Sequence, residues 1–140
     1  MKKAKKIRVL SYAATKRKLD AEFAAMIRAR DSGLRCISCG ERPPEQAGHF
    51  IRREILATRW HYQNVNGQCA YCNKWLDGNQ FQYGTALNRR YGMGTTDKLM
   101  GLARNHKFKL KTNHLQELRD AVKDGYDDFV IKYEALASSK

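Results

Sequence analysis

All four cysteines of the chain fall into two Cys-x-x-Cys pairs, Cys36 and Cys39 in CISC and Cys69 and Cys72 in CAYC. A two-residue gap lets both sulfurs of a tight turn reach one tetrahedral ion, so two such pairs complete a closed four-thiolate site suited to structural Zn2+. No apolar run approaches the roughly 18 residues of a membrane span. The opening MKKAKKIRVLSYAATKRK has neither an apolar signal core nor a cleavage site. A cytosolic, reducing setting is therefore expected, where paired cysteines serve metals rather than disulfides. In a chain of 140 residues, such a zinc supplies a large part of the folding free energy. The 29 residues between Cys39 and Cys69 exceed the gap of a simple zinc ribbon. Something has been inserted between the knuckles.

The flanks of that insert are helical by pattern. KRKLDAEFAAMIRARD, from Lys16 to Asp31, sets Leu19, Phe23, Met26, Ile27 and Arg30 along one side, and Ser32 and Gly33 stop it. The insert itself contains GERPPEQAG, whose two prolines exclude helix, and then AGHFI and NVNGQC, which read as two short strands. Helical spacing returns in CNKWLDGN, FQYGTALNRRYG and TTDKLMGLARNHK, the last with a Thr-Thr-Asp start able to cap it. Finally Leu115, Leu118, Val122, Tyr126, Phe129, Tyr133 and Leu136 step by three and four, predicting one amphipathic helix of roughly six turns. The expected organisation is a basic arm over 1–15 and a single domain over 16–140, with a functional core at about 34–80 and a helical part at about 81–140.

Charge names the class of partner. Lys and Arg outnumber Asp and Glu by 27 to 14, a formal net charge of +13, which is far more than solubility needs and points to a polyanion. Residues 1–18 hold eight Lys or Arg and no acid, so this arm reads as a solvated extension able to contact phosphates. Nothing in the chain looks like a base-reading helix, so recognition of nucleic-acid shape fits better than recognition of sequence.

The insert carries the order His49 in AGHF, Asn64 in NVNGQC, the second knuckle, and Asn73 directly after Cys72. Here the chain resembles HNH nucleases of the ββα-metal kind, and its four cysteines with a final Asn are similar to the phage junction-resolving endonuclease VII. KLDAEFAAMIRARD, RCISCG, AGHF and NVNGQCAYCNKWLDGNQFQYG together resemble the phage Rap and NinG recombination endonucleases over roughly residues 16–95. The resemblance implies an α+β fold: a zinc-stapled ββα-metal core flanked by an N-terminal helix and C-terminal helices. It implies a metal-dependent DNA endonuclease that cuts branched recombination intermediates, such as Holliday junctions and D-loops, leaving 3′-hydroxyl and 5′-phosphate ends.

Residue by residue, the resemblance puts Asn73 and His49 at a catalytic Mg2+ or Mn2+, Asn73 as its oxygen ligand and His49 as general base, while Asn64 reads as a tie of the loop before the second knuckle that orients His49 through backbone bonds. Where many relatives have an aspartate before the histidine, this chain has Gly48. Glu54 and Asp77 are the nearest carboxylates in sequence, and each reads slightly better as a surface charge. His61, between Trp60 and Tyr62, reads as a packing residue. Arg52, Arg53, Arg59 and Lys74 are the first choices for phosphate contacts, followed by Arg89 and Arg90. Two other readings are a non-catalytic zinc-ribbon nucleic-acid-binding protein and a general HNH nuclease without branch preference. The expected setting is the host cytosol, associated with the nucleoid, alongside other phage recombination proteins. A twofold homodimer with Phe129 and Tyr133 near its contact would present two His49 centres to two strands of a junction.

Overall fold

The computed structural model describes residues 9–138, so residues 1–8 of the basic arm lie outside the described residues. Helix α1 spans Tyr12–Arg30, starting four residues before the expected Lys16. The reason is local. Ser11 Oγ accepts the Ala14 N–H at 3.1 Å, and Thr15 is buried, so this stretch is helix rather than arm. Leu19, Phe23 and Ile27 form the buried stripe that the spacing predicted.

The two short strands are β1 (Gln46–His49) and β2 (Val65–Gln68), paired antiparallel with Gln46 opposite Gln68 and His49 opposite Val65. Between them lies one short helix, α2 (Leu56–Arg59). After β2 the chain makes a five-residue π-helical turn, Tyr71–Trp75, instead of the longer helix expected there. Asp77, Gly78 and Asn79, all with φ between +48° and +87°, end it and redirect the chain into α3 (Gln80–Tyr91). Helix α4 (Thr95–Ala103) is not capped by its own threonines. Asn88 of α3 accepts the Thr96 N–H at 3.0 Å, a tertiary cap that no local motif announces.

The expected six-turn helix is two helices, α5 (Thr112–Asp124) and α6 (Tyr126–Ser138). Gly125 separates them at φ +129°, a conformation that side chains with a Cβ rarely adopt. The apolar rhythm continues across the break because both helices bury the same stripe, which is why periodicity did not reveal it. α5 packs on α1 and on α6, and the main core joins Leu19, Phe23 and Ile27 to Trp60, Val65, Leu115, Leu118, Phe129 and Tyr133. Phe23 and Phe129 pack in a tilted arrangement with centroids 5.1 Å apart. Phe129 and Tyr133 are thus buried in the chain's own core and are not free to form the subunit contact expected of them. A smaller cluster of Ile37, Tyr83, Leu87 and Leu99 seats α3 and α4 beside the hairpin. Among the described residues no helix is long and apolar enough to cross a membrane.

Candidate functional site

The cysteines converge as their spacing predicts. The first knuckle follows α1, where the Cys36 N–H donates to Arg42 O and the Gly40 N–H to Cys36 O, both at 2.8 Å, and Ile37 N–H donates to Gly67 O on β2. The second begins at the end of β2. The four sulfurs lie within 4.8 Å of one another, and Cys39 Sγ and Cys69 Sγ are 3.9 Å apart. Four thiolates around one zinc at about 2.3 Å would stand about 3.8 Å apart, so the cluster fits such an ion. Its protonation chemistry agrees. Burial pushes the Cys72 thiol up to about 12 and raises Cys36 as well; against its own burial, backbone N–H groups at Arg42 and Glu41 draw Cys39 down to about 7. Thiols this close cannot all ionise unaided, and a bound dication would supply the missing charge.

His49 ends β1 and is held from the opposite side of the insert. Its Nε2 lies 2.9 Å from the carbonyl oxygen of Arg59, which can only accept, so Nε2 carries the proton and Nδ1 is the basic nitrogen. Burial lowers its pKa below the usual 6.5, with the positive Arg59 and Arg53 adding to the effect, so the ring stays neutral at pH 7. The Arg59 carbonyl is itself fixed. Its guanidinium is buried, paired through both Nε and Nη2 with Asp20 of α1, and bonded through Nη1 to Arg53 O at 3.0 Å; Trp60 Nε1 also donates to Asp20 at 2.9 Å. Arg59 is therefore a structural strut rather than the phosphate contact expected from its sequence position. Asp20 went unnoticed in the sequence, being one acid in an ordinary amphipathic helix. Asn64 is fully buried and ties backbone of the insert: Oδ1 accepts the Ile51 N–H at 2.8 Å, and Nδ2 donates to Ile51 O and Thr58 O at 3.0 Å. It clasps the two ends of the segment that carries His49 to Arg59.

Asn73 sits on the π-helical turn, fixed by its N–H to Cys69 O at 3.0 Å. Its Nδ2 donates to Gln46 Oε1 at 2.7 Å, leaving Oδ1 as the end with lone pairs to offer. Asn73 and His49 line one open cleft of about 760 Å³, together with Arg52, Arg53, Glu54, Asp77 and Gln80. Both candidate carboxylates thus reach the same cleft. Gly48 has a steric explanation: a Cβ there would overlap Gln68 Oε1. Gln68 is held in place because both protons of its Nε2 are used, on Ser38 Oγ and Gly78 O at 2.7 Å each. Its Oε1 has no hydrogen-bond partner among the described residues. Side-chain identity at residue 48 is therefore set by a residue on the neighbouring strand.

The other expected phosphate contacts divide. Arg52 and Arg53 are exposed on the cleft wall, and Lys74 is exposed beside Asn73. Arg89 and Arg90 border a different groove beside the first knuckle, with Arg90 also reaching Asn66 Oδ1 at 3.3 Å and Asp31 at 3.7 Å. His61 is a packing residue, as its aromatic neighbours suggested. It is buried against Tyr62 and Tyr133, and burial, with Lys98 nearby, pushes it down to about 4.

Three comparisons bear on kinship. The family described as Bacteriophage Lambda NinG protein matches residues 1–129. The proteins named Protein ninG of Salmonella phage P22, Escherichia phage lambda and Escherichia phage 933W are each 33% identical over 105 residues, covering 69% of this chain and 52% of each relative. The chain thus spans about half the length of the curated relatives it matches. No solved structure matches. With a family match over nearly its whole length, and with the two knuckles and the His49–Asn73 segment inside the matched region, this chain belongs to the phage NinG family.

Proposed function

We propose that the chain is a metal-dependent endonuclease acting on branched DNA, built on a ββα-metal centre in which the π-helical turn at Tyr71–Trp75 replaces the usual longer helix. The observation that carries this reading is the shared cleft: a neutral histidine, an asparagine with a spare oxygen, two carboxylates and two arginines line one concave wall of a strongly basic chain. His49 Nδ1 is the basic atom that takes a proton from the attacking water. Arg52 and Arg53 hold the phosphodiester, and Asn64 and Arg59 keep the imidazole in its working tautomer.

The donor set suits a hard cation. Asn73 Oδ1 and the carboxylates of Glu54 and Asp77 are the oxygens that the cleft lining offers, the donor type that Mg2+ and Mn2+ require, while Gln68 leaves no room for one at Gly48. When bound, such an ion would supply Lewis-acid polarisation of the scissile phosphate and charge stabilisation of the leaving oxygen. The four-cysteine cluster would hold structural Zn2+, which anchors the turn bearing Asn73. The setting we propose is phage DNA recombination in the host cytosol.

The test is nicking of labelled four-way, D-loop and linear DNA with Mg2+ or Mn2+, with and without chelator. Cleavage of branched substrates that is lost on chelation, and lost again in Asn73→Ala with junction binding kept, is the expected result. Equal cutting of linear duplex would mark a general nuclease. Tight binding without any cutting would mark a non-catalytic zinc protein.

A further inference from the structure

The segment that leaves the second knuckle is unusually apolar for an exposed one. Trp75 is 80% exposed and Phe81 is 83% exposed, the two most exposed aromatic rings among the described residues. Leu76, between them, is 42% exposed. Tyr71, on the same turn, has a partner: the Arg42 guanidinium stands 4.5 Å from its ring centroid. Trp75 and Phe81 have no ring or cation contact among the described residues. Among the described residues, no core cluster includes either ring.

Their position is specific. Trp75 closes the π-helical turn that bears Asn73, Phe81 lies in the first turn of α3, and the residues between them include Asp77 and Gly78, which line the cleft. The left-handed backbone at Asp77, Gly78 and Asn79 turns the chain sharply between the two rings. Both rings thus flank the stretch that forms one wall of the cleft, with exposed Lys74 beside them. An apolar surface meant for another protein is usually depleted in charge at its centre, whereas this one adjoins a basic cleft on a chain of net charge +13.

We infer that Trp75 and Phe81 form a stacking platform for unpaired or unstacked nucleobases at a DNA branch point, and that this platform selects branched over linear substrates. The inference rests on the reading of the cleft as a DNA site. Bases within a linear duplex have both faces covered by their neighbours; at a branch point, faces become available to aromatic rings, and stacking tolerates any sequence because every base has a π-face. The basic groups supply attachment to either kind of DNA, and the rings supply the difference.

The experiment measures binding without cleavage, with Ca2+ as the only divalent ion. A four-way junction and a Y-junction carrying 2-aminopurine next to the branch are titrated beside a linear duplex of the same sequence, using wild type, Trp75→Ala, Phe81→Ala and Trp75→Phe. Wild type should change the 2-aminopurine fluorescence on binding. Each alanine variant should lose about tenfold or more in junction affinity together with that signal, as expected for one stacked base. Its affinity for linear duplex should not change, and Trp75→Phe should restore most of the loss. Equal losses on junction and duplex, or no loss on either, overturn the platform. So does a Trp75→Ala or Phe81→Ala variant that changes sedimentation from dimer to monomer with DNA affinity intact, which would assign the rings to a second copy of the chain. Because no step requires cutting, a protein that never cleaves can still pass, and a nuclease whose alanine variants keep full branch preference fails this inference alone.

Discussion

His49 owes its Nε2–H tautomer to a carbonyl ten residues away in sequence, and the residue bearing that carbonyl is pinned by Asp20 on a separate helix. Two expectations follow at this scale. Burial holds His49 below 6.5, and only the neutral ring can accept a proton, so on the proposed nuclease reading cleavage should be flat at neutral pH and fall as pH drops through a value below 6.5. A profile of kcat/KM against pH checks this; an acid limb above 6.5 would contradict it. His49→Ala should lower the rate by about 10²- to 10⁴-fold and remove that limb. Asp20→Asn keeps the shape of the side chain but leaves the buried Arg59 guanidinium without its counter-charge, costing about 3 kcal/mol of stability. If Asp20 positions His49 through Arg59, the same variant should also shift the ¹⁵N signals of His49 away from the Nε2–H form. A melting change with those signals unmoved would leave Asp20 as a fold residue only.

Between the strands, register decides chemistry. Gln46 faces Gln68 across the hairpin; one side chain holds Asn73 and the other occupies the space above Gly48. Gly48→Asp should therefore overpack the site and cost about 1–3 kcal/mol. Pairing it with Gln68→Ala should recover much of that loss, giving a coupling above about 1 kcal/mol in a double-mutant cycle of denaturation free energies. Strictly additive costs would show that something other than Gln68 limits this position. The strands themselves were legible as AGHFI and NVNGQC, bounded by turn residues. The split between α5 and α6 was not, because one apolar rhythm served two helices packed on the same core.

For the whole molecule, the cysteine cluster and the helical core are separate masses. The core of α1, α5 and α6 contains no cysteine, and the two parts meet through the hairpin and the polar network of Arg30, Asp31 and Asn66, where Asp31 Oδ2 accepts the Gly67 N–H at 2.7 Å. Cys69→Ser should cost bound zinc and lower the melting temperature, with hydrogen-exchange protection lost first in β1, β2 and the π-helical turn and last in α1 and α5. Zinc content, calorimetry and exchange on one preparation decide it. A variant without zinc but with full stability and protection would remove the cluster's structural part.

Sequence alone determined what local chemistry and spacing can encode. Each Cys-x-x-Cys pair specifies a tight turn that aims two sulfurs the same way, so two such pairs announce a cluster able to hold a metal ion. A helical stripe specifies which face of α1 is buried, and the order of His49, Asn64 and Asn73 around the second knuckle carries the family resemblance. The tertiary structure decided which of the flanking charges are free. Arg59 looked like its neighbours Arg52 and Arg53, yet it is buried against Asp20 while they stand in the cleft. It also decided that Glu54 and Asp77 share a wall with His49, that Phe129 and Tyr133 face inward, and that Trp75 and Phe81 face water. The physical reason is that whether a side chain meets solvent, a counter-charge or a core depends on partners that folding brings from elsewhere in the chain, as Asp20 is brought to Arg59 and Phe23 to Phe129, and no local pattern records those encounters.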